Sequence, residues 1–476
     1  VPRSRLAWAV LALAALLRIT LAMLRPLQVD EGYTLHVAAL PLQAGLHILR
    51  TLDVHPPLFL LLVHAWLGLH SPDAGIRLRM ALFGIASVWL LYAIVVRWHG
   101  ERAALIAAFC AAVMPSLIFY DSMIRMYAPF DALALTSFLL LSILLTRADL
   151  KISSRRALWT GWAIVTALLW YTLYLGVMVS LAQLLYVALL RRDALVRVLT
   201  ALACAGLLFA PQVGTLAYQL PRGGLAFPFY AQHELQALWE LAGQATIAVQ
   251  SHGNVVWASL GSLVGWAWIA AALALVAPRN GRSLVLWLGV PSALTLAYSL
   301  LAHKLLYTDR YYLLLAYALC AWSGIAADRI GEKLPATMRR PAGLLAGGAL
   351  AALGILYTLN PALYTADWPA VAALLESHSQ PKDLIVFEQG SPFFVLKRGV
   401  SLDHHPLLVI LRRQDVARSS ALSRPFARVW LVLFQSGPVD PDSKLLSALK
   451  ARRVAGVWEF PRALPAESAL VVLFKR

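Results

Sequence analysis

Pro57-Leu58-Phe59-Leu60-Leu61-Leu62-Val63-His64-Ala65-Trp66-Leu67-Gly68-Leu69 is the stretch on which the topology of this chain turns. It is apolar throughout but only about a dozen residues long, whereas a bilayer-crossing helix needs about 20. That length fits an interfacial or re-entrant helix. Suppose the run does not cross and the N-terminus is cytoplasmic. Then Arg97/Arg102, Arg147-Lys151-Arg155-Arg156, Arg191-Arg192-Arg197, Arg279/Arg282 and Arg329-Lys333-Arg339-Arg340 all fall inside. If it crosses, every one of these clusters moves outside. The positive-inside rule selects the first arrangement.

Composition agrees with a membrane reading. Of 476 residues, 60% are hydrophobic and 14% charged, with a mean hydropathy of +0.69. Soluble domains average roughly 45–50% apolar and about 25% charged residues. The net charge of +17 would suggest nucleic acid only if a soluble domain carried a basic face. Here the basic residues sit between apolar runs, so no nucleic-acid partner is expected. Cys110, Cys204 and Cys320 lie in apolar runs and read as buried thiols, with no zinc-type Cys/His spacing. The start, Val1-Pro2-Arg3-Ser4, lacks a Met and reads as trimmed.

About eleven spans are expected, near 6–24, 80–97, 103–119, 128–146, 157–172, 174–190, 198–217, 255–277, 284–302, 311–327 and 342–359. They leave two sizeable outer loops, 25–79 and 218–254. Residues 1–359 would form a mainly α transmembrane domain. From 360 to 476 Pro, Asp, Lys and Ser return, and an odd span count puts this segment outside. It reads as a small α/β domain with strands at Leu384–Phe387, Phe393–Leu396, Val429–Phe434 and Leu470–Phe474, and helices near 367–378 and 441–452. No internal repeat is seen.

Four clusters could carry chemistry. Asp30-Glu31-Gly32-Tyr33 follows the first span. Such a pair can simply cap a helix N-terminus. Alternatively Asp30 is a general base above the bilayer surface, tuned or oriented by Glu31. His55-Pro56-Pro57 precedes the short apolar run. The prolines can do no more than start that helix, or they fix a turn that brings His55 back toward Asp30 to meet a phosphate or the acceptor. Tyr120-Asp121-Ser122-Met123-Ile124-Arg125-Met126-Tyr127 fills a tight outer turn. Charges this close to hydrocarbon need partners or a task. Arg125 can hold a phosphate in a fixed fork, against the plainer reading of an Asp121–Arg125 ion pair. His303-Lys304-Leu305-Leu306-Tyr307-Thr308-Asp309-Arg310-Tyr311-Tyr312 places cations outside, against the positive-inside trend. Lys304 or Arg310 is thereby a phosphate-ligand candidate, unless the tyrosines are belt anchors and Lys304 snorkels. Arg18 in the first span is a further candidate.

In this order and on one membrane side, the pieces resemble the GT-C glycosyltransferases related to protein O-mannosyltransferases and the lipid A aminoarabinose transferase. The resemblance covers most of residues 1–327. It implies a polyprenyl-monophosphate sugar donor, catalytic Asp30 with Glu31 beside it, and substrate contacts from His55, Asp121, Arg125, Tyr127, Lys304, Arg310 and Tyr311. It also implies a multi-pass inner-membrane protein of bacterial type, acting on the periplasmic or extracellular side. Two positions depart from the pattern. Met123 stands where many relatives have an acid, and His55 stands where the aminoarabinose branch often has Lys. Acceptor identity (protein, lipid A, glycan or another lipid) and a divalent-metal requirement stay open. The expected reaction is inverting transfer, with Asp30 taking the acceptor proton. The rivals are a lipid-linked-sugar flippase, which would need mid-span ionisable groups and pseudo-repeats, and a non-catalytic glycolipid-binding subunit.

Overall fold

The computed structural model describes residues 4–147, 149, 151–220, 234–247, 255–276, 283–302, 306, 309–333, 335–359, 366–388, 390–399, 402–410, 415–434, 440, 442–460 and 469–476. Its helices in chain order are α1 Arg5–Leu24, α2 Val29–Ala39, α3 Leu42–Leu52, α4 Leu58–Gly68, α5 Asp73–His99, α6 Glu101–Val113 and α7 Pro115–Asp121. There follow α8 Tyr127–Thr146, α9 Ile152–Thr172, α10 Gly176–Leu190, α11 Leu195–Phe209, α12 Val213–Gln219, α13 Glu234–Ile247, α14 Val255–Val276, α15 Val290–Leu301, α16 Leu313–Lys333 and α17 Ala336–Leu359.

Six of the described helical stretches are long and apolar enough to cross a membrane, and a bent pair, α6 with α7, makes a seventh. The six are α1, α5, α8, α16, the run Arg192–Gln219 and the run Leu284–Leu301. The deciding stretch forms α4, which has 11 residues. At 1.5 Å per residue it rises about 16 Å, roughly half of the hydrocarbon thickness. Pro57 is its N-cap, as a proline at a first turn should be. The three cysteines are free, but Cys204 is exposed on α11, whose Val196, Leu199, Leu207 and Leu208 also face outward.

The α6–α7 break bends by 63°. Pro115 lacks the N–H that would continue the hydrogen-bond ladder, so the last carbonyls of α6 need other donors. Arg18 of α1 supplies them, donating to Ala111 and Ala112 carbonyls at 3.0 Å each and to Asp121 Oδ2 at 2.7 Å. Both charged side chains are sealed from solvent. Gly84 of α5 leaves room for this pair, because a Cβ there would sit 2.4 Å from Asp121. The expected roles of Arg18 and Asp121 are therefore corrected. They close a broken helix inside the bundle, and Asp121 pairs with Arg18 and not with Arg125.

The C-terminal segment is an α/β unit. Its strands are β1 Leu384–Phe387, β2 Leu407–Val409, β3 Arg428–Leu433, β4 Arg453–Phe460 and β5 Ala469–Lys475, in the order β2-β1-β3-β5-β4. β1 is parallel to β2 and β3, and β5 is antiparallel to β3 and β4. Alternate residues supply two cores. Ile385, Phe387, Trp430 and Val432 pack under α18 Trp368–His378 and α19 Gly390–Gly399, while Val386, Leu431 and Phe474 pack with α20 Asp415–Ser423 and α21 Lys444–Leu449. Period two with both faces covered gives continuous apolar strands.

Three expectations change here. Phe393–Leu396 is helical, lying within α19, because a four-residue apolar run does not separate strand from helix by its pattern. The helix expected near 441–452 is only Lys444–Leu449, started by Asp440, which accepts from Lys444 and Leu445 backbone N–H at 2.9 and 2.8 Å. β2, β4 and α20 are additional.

Candidate active site

α2 begins with a capping box. The Gln28 side chain accepts from the helix backbone, and Glu31 Oε2 accepts from Gln28 N–H at 2.9 Å. Glu31 then does far more than cap. Oε1 accepts from Arg25 at 2.9 Å, Arg77 Nε at 3.1 Å and the Ile124 N–H at 2.9 Å, and Oε2 from Arg77 Nη2 at 2.9 Å. Arg77 also donates to the Arg25 and Pro26 carbonyls, closing the end of α1. Burial opposes ionisation of Glu31, but Arg25, Arg77 and the Ile124 N–H outweigh it, bringing its pKa down to about 2. A carboxylate with five donors and no solvent exposure has no lone pair for a substrate. Glu31 thus ties α1, α2, α5 and the turn after α7 into one frame, next to Asp30 on the same helix.

One residue earlier on the same helix, Asp30 remains accessible, with 37% of its side chain exposed. Arg310, in the short turn Asp309–Tyr311, donates to its Oδ2 at 2.9 Å. Burial works against the Asp30 carboxylate, yet Arg125, Arg310 and His55 together hold its pKa below the ordinary value. Arg125 lies in the turn before α8 and donates to Thr34 Oγ1 of α2 at 3.0 Å. Among the described residues its Nε–H and the Tyr127 hydroxyl, both buried, have no hydrogen-bond partner. Tyr120 and Tyr127 meet edge to face at 5.3 Å, and Arg310 lies 6.0 Å from the Tyr311 ring. The Tyr311 hydroxyl stays protonated, its pKa raised to about 12 by burial first and then by Tyr127 and Asp30, against the two arginines.

The turn between α3 and α4 does bring His55 back toward Asp30, whose carboxylate it helps to hold ionised. It brings Asp53 as well, a residue that sequence reasoning missed. Asp53 Oδ1 contacts His55 Nδ1 at 2.5 Å, and the Asp53 charge helps burial to raise the pKa of the Tyr33 hydroxyl. Despite burial, His55 and Arg125 hold the Asp53 carboxyl well below the usual carboxylate range. The available signal was its spacing, two residues before His55 in a turn. Lys304 lies outside the described residues.

The structure thus gathers Asp30, His55, Arg125, Tyr127, Arg310 and Tyr311, while Glu31 and Asp121 are buried in ion pairs with Arg25, Arg77 and Arg18. Among the described residues no three His, Cys, Asp or Glu side chains converge as metal ligands. Asp30 and Asp53 already face guanidinium or imidazole partners, which does not fit a divalent-metal cradle.

The α/β unit docks beside this site. Phe394 of α19 packs edge-on against Tyr33 at 5.5 Å and lies 4.8 Å from the His36 ring, and Arg398 Nε donates to Asp73 at 2.9 Å. A Cβ on Gly32 would lie 2.8 Å from Val395 N and 3.0 Å from the Phe394 carbonyl carbon. Only glycine lets the two helices approach this closely.

Residues 54–214 match the model of the dolichyl-phosphate-mannose-protein mannosyltransferase family, about a third of the chain. None of the curated proteins matches in sequence. Among solved structures, ArnT from Cupriavidus metallidurans bound to undecaprenyl phosphate aligns over 98% of both chains with a TM-score of 0.57 at 14% identity. The archaeal oligosaccharyltransferase AglB from Archaeoglobus fulgidus, in complex with an inhibitory peptide and a dolichol-phosphate, aligns over 97% of this chain and 74% of its own, with a TM-score of 0.57 at 13% identity. The mycobacterial arabinofuranosyltransferase AftD aligns over 99% of this chain but 41% of its own, with a TM-score of 0.53 at 15% identity. In fold the chain is similar to these three transferases, and over residues 54–214 it resembles the mannosyltransferase family.

Proposed function

We propose that this chain is an integral-membrane glycosyltransferase that inverts configuration as it moves a sugar from a polyprenyl-monophosphate donor to an acceptor hydroxyl. One observation carries the reading. An accessible carboxylate, Asp30, lies against two guanidiniums, with the Arg125 Nε–H and Tyr127 hydroxyl as buried donors lacking a partner. Convergent donors of that kind suit a phosphate, and a carboxylate beside them suits proton removal. Two fold neighbours hold a polyprenyl or dolichyl phosphate, which supports the same donor class here.

In the proposed step the acceptor oxygen attacks the anomeric carbon from the face opposite the phosphate, and Asp30 takes its proton. The carbon–oxygen bond to phosphate breaks, and its electron pair stays on the phosphate, which gains one negative charge. Arg125, Arg310 and the Tyr127 hydroxyl stabilise that charge, with His55 beside them. Donors fixed before the reaction commonly supply the largest catalytic contribution, about 3–4 kcal/mol for one donor. An outward-facing site and about eleven spans belong to this proposal; among the described residues six helical stretches, or seven with the bent pair, are long and apolar enough to cross. The α/β unit of 360–476 lies on that same face.

The test is transfer of labelled sugar from a synthetic polyprenyl-phosphate donor by the purified chain in liposomes. Asp30→Asn should lose transfer, by at least about 10²-fold, while retaining polyprenyl phosphate. Near-normal transfer by this variant would remove Asp30 from the role of base. Donor flipping without sugar release would favour a transporter.

A further inference from the structure

His55 stands at the end of a hydrogen-bonded brace that reaches away from the reacting atoms. One amide ties the end of α3 to the turn that carries His55: Gln219 Nε2 donates to the backbone carbonyls of Leu49 in α3 and of Asp53 and His55 in the turn, at 2.8, 3.3 and 3.5 Å. Gln219 is 2% exposed, and its Oε1 accepts from Tyr174 OH at 2.6 Å. Tyr174 in turn accepts from Gln212 Nε2 at 2.9 Å. The chain Gln212–Tyr174–Gln219 links the α9–α10 turn and α12 to the loop before α4. A buried amide spent on loop carbonyls from 164 to 170 residues away is a device for fixing that loop.

The side chains of the loop are fixed as well. Asp53 Oδ1 meets His55 Nδ1 at 2.5 Å and accepts from the Val54 N–H at 2.6 Å. Only 14% of the His55 side chain and 12% of Asp53 are exposed, so the imidazole has one orientation. A carboxylate on Nδ1 decides that Nδ1 carries a proton, which leaves Nε2 as the nitrogen for a ligand. Asp30 and Tyr33 from α2, Arg125 from the turn before α8 and Gln219 from α12 surround the pair.

We propose that Asp53 is a positioning residue for the transfer reaction: it orients His55 so that Nε2 is presented to the phosphate of the lipid donor, and Gln219 braces the loop behind it. This rests on the proposed transfer reaction. Asp53 itself touches no reacting atom and acts through His55.

A double-mutant cycle tests the idea, read as kcat and KM for sugar transfer together with retention of polyprenyl phosphate and thermal stability. Asp53→Ala should lower kcat/KM by about tenfold or more, and Asp53→Asn, which keeps one acceptor oxygen, should lose less. In a His55→Ala background, Asp53→Ala should change kcat/KM by less than about twofold, because the group it orients is gone. Gln219→Ala serves as the milder variant and should show the same dependence on His55 with a several-fold loss. Equal losses with and without His55, or losses matched by unfolding, would overturn the proposal and leave the transfer reading intact. If the unaltered chain neither transfers sugar nor retains polyprenyl phosphate, both fall together.

Discussion

Arg310 reaches back across 280 residues of sequence to donate to Asp30 Oδ2 at 2.9 Å, so the proposed base and a proposed phosphate ligand hold each other. A phosphate arriving at Arg310 competes with Asp30 for the same guanidinium. Once part of that cation is shared, the carboxylate regains basicity when the donor is in place. Asp30→Asn should therefore bind polyprenyl phosphate several-fold more tightly than the unaltered chain, even as it loses turnover. Weaker binding by this variant, measured by lipid titration in nanodiscs, would show that the pair does not compete with the donor.

Tyr127→Phe removes a buried hydroxyl that has no partner, so its loss should cost the fold almost nothing. Its effect should appear in donor handling, as a roughly 5- to 100-fold fall in kcat/KM, with an unchanged melting temperature. A lower melting temperature with normal kinetics would place the hydroxyl in a structural role.

Glu31 gives a pH dependence with a definite sign. Its folded pKa of about 2 lies below the ordinary 4.5. A depressed carboxyl contributes stability that is fully present above 4.5 and is lost as pH falls toward 2. Melting temperature should fall across that window, and Glu31→Gln should flatten the fall while lowering stability at neutral pH. Removing one member of such a buried ionic group costs about 3–5 kcal/mol. A Glu31→Gln variant as stable as the parent at neutral pH would contradict the frame described for α1, α2 and α5.

Asp121 separates structure from chemistry in the third cluster. Asp121→Ala strands the Arg18 guanidinium inside the bundle and should destabilise by about 3–5 kcal/mol. The fraction that folds should transfer sugar at close to the normal rate per molecule. Gly84→Ala should mimic it, since the added carbon would overlap Asp121. A stable Asp121 variant with an abolished rate would return this residue to the substrate.

That the chain is mainly helical and crosses a membrane was readable from apolar run length, because of the cost of putting polar groups in hydrocarbon; the expected count of about eleven spans compares with six or seven among the described residues. The order of Asp30, His55, Arg125 and Arg310 was legible for the same reason: each is a charge or polar group placed where it must be accounted for. What sequence could not assign was partnership. Asp121 has Arg125 four residues away and Arg18 more than a hundred away, and the distant one wins because Pro115 leaves carbonyls at the break that also draw Arg18. Asp30 and Glu31 look equivalent on paper, yet one helical step separates an accessible carboxylate from one surrounded by donors. Phe393–Leu396 reads equally as strand or helix until Phe394 is seen against Tyr33.

The glycine seam between α2 and α19 bears on how such a protein can be cut and recombined. Because the Gly32 backbone is pressed against Val395, the helix that carries Asp30 has one side braced by the membrane bundle and the other by the α/β unit. Deleting residues 360–476 would expose an apolar strip on the helix that carries Asp30. Domain exchange between relatives would therefore succeed only when the Gly32 segment travels with its own α19, as the two halves of one hinge-pin fitting.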